Sequence, residues 1–197
     1  MSHFFAYISR MKYVDRWSLM RNSIPENIQE HSHMVAVLAH ALAVIRRDVL
    51  GVPCDPNACA AAALFHDATE IFTGDLPTPI KYYNPAILDA YRQVESVAAD
   101  KLLGMLPEEM AGAYRPLFRE EDPQVKVLVK AADKLAAYIK CVEELAAGNN
   151  DFADAARETH ALLEQMDLPE LRYFEEHFSQ AFGLTLDQLN EKGEEKK

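Results

Sequence analysis

The sequence predicts an all-α protein, folded as a single-domain helical bundle, and three observations carry that prediction. Two segments, 31–49 and 128–146, repeat apolar residues at alternating spacings of four and three, which is the period of one face of a helix. No segment shows the alternation of apolar and polar residues that is typical of a half-buried strand. The 197 residues contain no internal repeat and no interdomain linker, and that length suits one sizeable hydrophobic core.

The first long helix is predicted to begin at a capping box, in which Asn27 is followed three residues later by Glu30, and to end before Gly51. A second helix is expected over 57–72, a segment rich in alanine. Residues 75–85 contain three prolines in eleven positions, and this density predicts a loop without regular structure.

The rest of the chain is expected to be helical up to a charged terminus. Gly-Asn-Asn at 148–150 closes the second long helix, since glycine readily adopts the left-handed conformation that ends helices. The domain is expected to span residues 1–190. Residues 191–197 carry charge but no apolar anchors and are expected to form a disordered tail. Helices are predicted over 86–106, from 107, and over 123–147, 151–165 and 169–182.

The charge balance bears on the partners of the protein. A formal net charge of −11 disfavours a nucleic-acid polymer, because affinity for such polymers comes mainly from neutralised phosphates. Residues 1–21 nevertheless carry four basic side chains against Asp15 alone, a local charge of +3. This segment suits a small anion such as a phosphate monoester, although a solvated face with a few salt bridges explains the cluster equally well.

Composition also bears on location. No apolar run approaches the roughly 20 residues that span a bilayer, and the N-terminal residues lack the apolar core of a signal peptide. The three cysteines, Cys54, Cys59 and Cys141, are odd in number and lack the CxxC spacing of thiolate zinc sites. We therefore expect a cytoplasmic protein in a reducing compartment, with no membrane partner and no disulfide framework.

The segment ALFHDATEIFTGDLPTP, residues 63–79, places ionisable groups in an apolar setting. Adjacent helical side chains point about 100° apart. His66 and Asp67 therefore reach a single ion only near a helix end or in a bend, and they lie close to one. Glu70 lies one turn further along the same surface. A lone histidine in a helix is more often a core or surface residue than a ligand, which is our interpretation of His3, His160 and His177, whereas His33 and His40 stay open at this point.

A buried cation would explain these groups together with Asp133, which lies beside the second apolar stripe, and His31, which heads the first. Two imidazoles and two carboxylates form a mixed nitrogen and oxygen donor set that suits Mn, Co, Fe or Zn better than Ca or Mg. The alternative is a helix end with polar caps, in which Asp133 forms a surface pair with Lys130 or Lys134.

Three stretches carry a resemblance to a known class of protein: EHSHMVAVLAHAL, LFHDATEIFTGDLPTPIKYYN and VKAADKLAAYIKCVEELAAGNN. They resemble the signature regions of the HD-domain phosphohydrolases, and the similarity is closest to the bacterial 5′-deoxynucleotidases. The His-Asp pair alone is a weak signal, but its combination with the other stretches is specific. The resemblance runs from Ser2 to Asn150 and is looser beyond.

The resemblance implies a bundle of the HD-domain type and one divalent transition metal, which is Co, Mn, Zn or Fe. It implies that Glu70 is the catalytic carboxylate and that Arg16 binds the phosphate. Asp75 either orients the attacking water or protonates the leaving oxygen. The implied metal ligands are His31, His66, Asp67 and Asp133, and the resemblance thus implies that His33 and His40 are core or surface residues rather than ligands. The implied substrate-binding residues are Arg16, Trp17, Asp67, Asp75, Leu76, Pro77, Thr78 and Asp133.

The implied activity is metal-dependent hydrolysis of deoxyribonucleoside 5′-monophosphates to deoxyribonucleoside and phosphate, by a protein that forms a homodimer. Trp17 would line the sugar and disfavour a ribose 2′-hydroxyl, although a single tryptophan near a terminus is usually a core residue. Two alternatives stay open at this point. One is an HD-type hydrolase of nucleoside triphosphates or cyclic nucleotides. The other is a non-catalytic module that senses a nucleotide or a metal and does not need Glu70.

Overall fold

Three helices meet at the centre of the fold in the computed structural model, which describes residues 1–81, 83–119 and 121–190. Helix α2 (Ile28–Val44) packs against α3 (Pro56–Phe65) and α8 (Pro123–Ala146), and α9 (Ala153–Met166) packs on α8. The other elements are α1 (Phe4–Ile8), strands β1 (Asp15–Arg16) and β2 (Glu26–Asn27), α4 (Glu70–Thr73), α5 (Thr78–Lys81), α6 (Pro85–Leu103), α7 (Glu108–Phe118), α10 (Pro169–Phe178) and α11 (Leu186–Asn190). The predicted all-α class is confirmed.

Helix α2 starts as its sequence predicts and ends differently. The side chain of Asn27 accepts two backbone N–H groups of the first turn, and the Glu30 carboxylate accepts the N–H of Asn27, so the capping box is present. The end of the helix widens into a π-helical turn at Ile45–Val49, which adds a residue to the turn and rotates the apolar stripe. Val49, predicted to be buried, is therefore exposed, and the chain then leaves the helix at Gly51 with φ of 70°.

The core lies between α2, α3 and α8. Helix α8 begins at an Asp122 cap, whose carboxylate accepts the backbone N–H of Gln124, and has proline at its first position. Burying each large aliphatic side chain of this interface contributes about 1.5–3 kcal/mol. The buried residues that face one another include Val35, Leu38 and Leu42 of α2 and Leu128, Ala132, Leu135 and Ile139 of α8.

A second apolar cluster seats the N-terminal segment that leads into β1. Phe4 of α1 is fully buried, and its ring meets Tyr114 of α7 edge-on at a centroid distance of 5.2 Å. Leu102 of α6 and Ile28 at the start of α2 belong to the same cluster. The segment that precedes Arg16 is thus fixed against the ends of three helices.

The predicted helix over 57–72 is wrong in one respect, because it is interrupted at residues 66–69. Helix α3 ends at Phe65 and α4 begins at Glu70. Between them the backbone forms tighter bonds to the third residue back, from the N–H of Ala68 to Phe65 O (3.1 Å) and from the N–H of Glu70 to Asp67 O (3.0 Å). The tighter turn changes the directions of the His66 and Asp67 side chains from those on a continuous helix.

Two short elements were not predicted. Residues 78–81 of the proline-rich segment form one helical turn, α5, because a proline is tolerated in the first turn of a helix. Strands β1 and β2 form a two-stranded antiparallel ribbon in which Arg16 lies opposite Glu26. Two-residue strands are too short for their alternation to be visible in a sequence.

The remaining boundaries differ from the predictions by a few residues. Helix α6 stops at Leu103 rather than at 106, and α10 gives way at Ser179–Gly183 to a 3₁₀ turn. The predicted tail, 191–197, lies outside the described residues. Among the helices that the structure describes, none combines the length and the apolar character that crossing a membrane requires.

Candidate active site

Two imidazoles and a carboxylate converge at the centre of the bundle. His31 comes from the first turn of α2, His66 from the turn after α3, and Asp133 from the middle of α8. One ligand atom from each lies within 4.8 Å of the others. Asp67 adjoins this group, because its Oδ2 lies 3.1 Å from Nε2 of His66 and 3.7 Å from Nε2 of His31. The fold therefore brings the four predicted ligands together from three separate segments.

His31 is fully buried, and two carboxylates lie near its Nε2. Its Nε2 lies 3.1 Å from Oδ1 of Asp133, whose other oxygen accepts a hydrogen bond from Lys134 Nζ at 2.9 Å. The pair of Asp133 with Lys134, weighed above as an alternative to a metal ligand, thus coexists with the histidine contact. Lys134 uses one carboxylate oxygen and leaves the other facing the cluster.

The turn after α3 fixes the tautomer of His66. Its Nδ1 lies 2.7 Å from the carbonyl oxygen of Ala63, which only accepts, so Nδ1 carries the proton in the neutral ring. Nε2 is buried and lies 3.1 Å from Oδ2 of Asp67; burial opposes protonation of the ring, but the charge of Asp67 outweighs it and raises the pKa of His66. Metal-binding histidines usually donate their other N–H to such a carbonyl, which leaves Nε2 in position to coordinate a divalent transition metal. The residues therefore fit a metal ion.

The carboxylates of this group are ionised in the folded protein. Burial alone would raise the pKa of Asp67, but His66, His31 and Arg16 outweigh it and hold the pKa well below its usual range. Burial likewise opposes ionisation of Asp133, yet its hydrogen bond with His31 and the Lys134 charge keep its pKa well below the usual value. A metal ion would thus meet carboxylates that need not lose a proton first.

Arg16 links this cluster to the basic N-terminal segment. Its Nη1 lies 3.4 Å from Oδ2 of Asp67, and its Nε donates to Oε2 of Glu26 at 3.1 Å. Nη2 has no hydrogen bond among the described residues, so one edge of the guanidinium fork is free to bind an anion. The Arg16 side chain is only 12% exposed, and it is surrounded by carboxylates.

Trp17 adopts an unusual backbone conformation beside Arg16. Its φ is 54°, in the left-handed region that costs a residue with a bulky side chain on the order of 1–3 kcal/mol. The indole N–H donates to Oε2 of Glu26 at 3.2 Å. The ring packs on Phe152 at a centroid distance of 5.3 Å and belongs to a small cluster around the buried Cys141. Trp17 is thus half-buried, with its indole N–H bound to Glu26 and its ring packed on Phe152.

Glu70 is buried at the start of α4, and its environment opposes ionisation. Its side-chain oxygen Oε2 has no hydrogen-bond partner among the described residues. Burial, reinforced by the charges of Asp67 and Asp75, raises the pKa of Glu70 to about 9. Burial also raises the pKa of Asp75, although the positive charge of Arg16 opposes it. A nearby divalent cation would counter these causes for both carboxyl groups.

The loop that follows α4 contains the other residues of the implied substrate site. Leu76 and Pro77 are half-buried, and the side chain of Thr78 lies outside what the structure describes. Lys81 of α5 donates to Glu95 at 3.0 Å, which keeps its charge on this side of the site. His33 and His40 are exposed, as their interpretation as non-ligands predicts.

A groove of about 300 Å³ opens beside the cluster between α3, α7 and α8. His66 and Asp133 form part of its wall, and Lys126 and Lys130 line it as well. Two residues of the cluster, one from α8 and one from the turn after α3, therefore border a groove that a small molecule could enter.

Sequence reasoning missed Glu26. It lies on β2 and accepts from both Arg16 and Trp17, a role that no motif or helical spacing indicates. The only available signal was the Glu26-Asn27 pair ahead of the α2 capping box, which does not reveal a cross-strand partner.

Solved structures of other proteins share this fold. An HD-domain phosphohydrolase from Listeria innocua superposes with a TM-score of 0.77 at 22% identity, covering 91% of this chain and 88% of that one. The HD phosphohydrolase DatZ of cyanophage S-2L, in a structure bound to dA and one catalytic Zn²⁺ ion, gives a TM-score of 0.60 at 24% identity, covering 89% and 95%. At such identities the likeness establishes the fold.

Comparisons of sequence identify the family as well as the fold. A 5′-deoxynucleotidase of Vibrio parahaemolyticus is 46% identical over 194 residues, covering 96% of this chain and 98% of the relative. The 5′-deoxynucleotidase YfbR of Escherichia coli is 47% identical over 192 residues, covering 96% of each protein. The profile of the 5′-deoxynucleotidase YfbR-like family matches residues 3–182. The resemblance found in the sequence is confirmed, and the chain belongs to the YfbR-like 5′-deoxynucleotidase family.

Proposed function

We propose that the protein is a metal-dependent phosphomonoesterase that hydrolyses deoxyribonucleoside 5′-monophosphates to deoxyribonucleosides and phosphate. Family membership makes it an HD-type hydrolase. The structural observation that carries the proposal is the position of Asp67, whose Oδ2 lies close to both imidazoles and to the guanidinium of Arg16. A metal-binding group and a phosphate-binding group thus adjoin each other.

His31, His66, Asp67 and Asp133 would hold one divalent ion of Co, Mn, Zn or Fe. When bound, such an ion polarises a phosphoryl oxygen and lowers the pKa of a water. Within the described residues a single cluster has this composition, which supports one ion rather than two. The mixed imidazole and carboxylate donors suit a transition metal better than Ca or Mg.

Arg16 binds the phosphate dianion of the substrate. Its free Nη2 can donate to a phosphate oxygen, and the planar guanidinium holds that donor in a fixed direction, which the flexible lysine ammonium does not. Because Glu26 and Asp67 hold Nε and Nη1, little side-chain freedom is lost when the phosphate binds.

Glu70 accepts the proton of the attacking water. Its unpartnered Oε2 is available for this, and a cation near it lowers the raised pKa toward the operating pH, where a general base is most effective. Asp75 orients that water or protonates the leaving oxygen of the sugar, since its own pKa is raised.

Trp17 lines the deoxyribose, and Leu76, Pro77 and Thr78 contact the rest of the nucleoside. The indole is fixed by Glu26 and Phe152, so it cannot move aside for a larger sugar without breaking those contacts. A ribose 2′-hydroxyl would meet an apolar ring and lose its hydrogen bonds.

The test is phosphate release from a panel of nucleoside mono-, di- and triphosphates and cyclic nucleotides, with each metal added in turn to chelator-treated protein. We expect deoxyribonucleoside monophosphates to be hydrolysed most efficiently and only with metal. Preferential cleavage of triphosphates or cyclic nucleotides would replace the monoesterase assignment, and binding without any turnover would indicate a sensing module.

Two further properties belong to this proposal. The family resemblance supports a homodimer, which light scattering of the purified protein tests. The three thiols are free in the structure, as in a cytoplasmic protein, and fractionation of the source cells tests that location.

A further inference from the structure

Glu26 forms a contact with two neighbouring side chains through one oxygen atom. Its Oε2 accepts from Nε of Arg16 at 3.1 Å and from the indole Nε1 of Trp17 at 3.2 Å. The carboxylate is largely shielded, with 17% of its side chain exposed. Because the Arg16 donor carries a full positive charge, its bond with Glu26 belongs to the stronger class of hydrogen bond.

The backbone explains how two consecutive side chains reach the same atom. Arg16 lies directly opposite Glu26 in the antiparallel ribbon, so their side chains share a face. The next residue on a regular strand would point to the opposite face. Trp17 instead takes the left-handed conformation, with φ of 54°, which turns its indole back toward Glu26.

We propose that Glu26 is a positioning residue that holds Arg16 and Trp17 as one unit against the substrate. This inference rests on the proposed function, in which Arg16 binds phosphate and Trp17 lines the sugar. Glu26 fixes Nε of Arg16 while Asp67 fixes Nη1, and the free Nη2 edge therefore points in one direction. The same carboxylate fixes the plane of the indole, so the phosphate and sugar contacts are set together.

The fold does not depend on Glu26 to hold this segment. The loop beyond Trp17 is fixed separately, since Glu144 of α8 accepts the backbone N–H groups of Ser23 (2.8 Å) and Ile24 (3.3 Å). Asn22 also donates from its side chain to the carbonyl of Trp17 at 3.2 Å. Removing the Glu26 carboxylate should therefore release two side chains and leave the backbone in place.

The test uses Glu26→Gln and Glu26→Ala, with Asp15→Asn as the matched control. Asp15 lies on the same ribbon and is exposed, and among the described residues its carboxylate forms no hydrogen bond or ion pair with Arg16 or Trp17, so its substitution removes one negative charge without removing a bond to the pair. We expect kcat/KM for dAMP to fall about 10-fold or more in Glu26→Ala, less in Glu26→Gln, and not in Asp15→Asn. Metal content and melting temperature should stay close to wild type.

A second readout is independent of catalysis. Trp17 is the single tryptophan of the chain, so intrinsic fluorescence reports its environment alone. Both Glu26 variants should show increased quenching by acrylamide in the absence of substrate, and Asp15→Asn should not. Unchanged quenching in Glu26→Ala would overturn the proposal, because the indole would then be held without Glu26.

A double-mutant cycle tests whether Glu26 acts through Arg16. The loss caused by Glu26→Gln should be much smaller in an Arg16→Lys background, because lysine has no Nε–H for the carboxylate to hold. Equal losses in both backgrounds would contradict the positioning role. If wild type hydrolyses no nucleotide, the proposed function fails, whereas the quenching experiment still decides whether Glu26 holds the indole.

Discussion

Two buried glutamates in this molecule have opposite surroundings. Glu144 is 2% exposed and accepts hydrogen bonds from the backbone of Ser23, from Lys140 Nζ and from Asn149, and these donors outweigh burial and lower its pKa to about 2. Glu70 is 6% exposed, has an unpartnered oxygen, and has its pKa raised to about 9.

The difference separates a structural charge from a functional one. Both oxygens of Glu144 accept hydrogen bonds, so the ionised carboxylate stabilises the junction of α8 with the N-terminal segment. Around Glu70 the negative charges of Asp67 and Asp75 outweigh the positive charges of Arg16 and Lys81, and the folded chain alone does not compensate them. Such an arrangement is costly unless a cation or a reaction uses it.

The largest effect is expected from removing a ligand of the cluster. Asp67→Ala should abolish both metal content and phosphate release, because Asp67 is the carboxylate next to both imidazoles and Arg16. Elemental analysis and activity of the purified variant measure this. A variant that retains stoichiometric metal would remove Asp67 from the ligand set.

Substituting each glutamate by glutamine should give opposite results. Glu70→Gln should keep the metal and lower kcat by about 10²–10⁴, the contribution of a positioned base, while the stability of the metal-free protein at pH 7 stays unchanged because Glu70 is already protonated there. Glu144→Gln should lower the free energy of unfolding by about 3–5 kcal/mol, since Lys140 is left buried without its partner. Denaturant unfolding and steady-state kinetics of both variants measure the two effects. A Glu70→Gln protein with a lower free energy of unfolding would contradict the difference proposed between the two glutamates.

The same pair should give opposite slopes of stability with pH. The pKa of Glu144 is lower in the folded state than its ordinary 4.5, so its contribution is present above about pH 5 and is lost as pH falls toward 2. The pKa of Glu70 is raised in the folded state, so in chelator its contribution declines as pH rises from about 5 toward 9. Each slope should approach 1.4 kcal/mol per pH unit for one proton.

The glutamine variants identify which group causes which slope. Glu144→Gln should flatten the acidic limb, and Glu70→Gln the alkaline one, in unfolding measured across pH. An acidic limb that survives in Glu144→Gln would mean that other carboxylates dominate acid unfolding.

The smallest expected effect concerns Trp17, which lies between the two regions. Burying an unpaired 2′-hydroxyl costs about 1–3 kcal/mol, so wild type should prefer dAMP to AMP by roughly one to two powers of ten in kcat/KM. Trp17→Ala should narrow that gap mainly by losing activity on dAMP. Equal kcat/KM for the two nucleotides in wild type would contradict deoxyribose selectivity and leave the nucleotidase assignment standing.

The sequence predicted the central helices and the composition of the cluster because both depend on local information. The apolar stripes that begin at His31 and Leu128 indicate which face of each helix is buried, and the resemblance identified His66, Asp67 and Asp133. The turn at 66–69 was not predictable, since the alanine-rich sequence before it is compatible with a continuous helix and tertiary contacts decide where the helix breaks. The exposure of Val49 was not predictable either, because no residue pattern indicates the π-helical turn that contains it.

Contacts between distant segments were the least predictable. Glu26 meets Arg16 across a ribbon whose strands are only two residues long, and Glu144 accepts the backbone N–H groups of Ser23 and Ile24, about 120 positions earlier in the chain. Neither leaves a period or a motif in the sequence. Residues that position other side chains were therefore harder to predict than residues proposed to bind the metal or the substrate.

The convergence of donors from three segments has a consequence for folding. His31 and Asp133 are 102 residues apart, and Arg16 and Asp67 are 51 apart, so an unfolded chain offers no comparable site. An ion that binds only the native state at 1,000 times its Kd adds about 4 kcal/mol to stability by mass action. Metal supply would then govern how long the chain survives proteases as well as how fast it turns over substrate. A cell short of the ion would lose the protein as well as its activity.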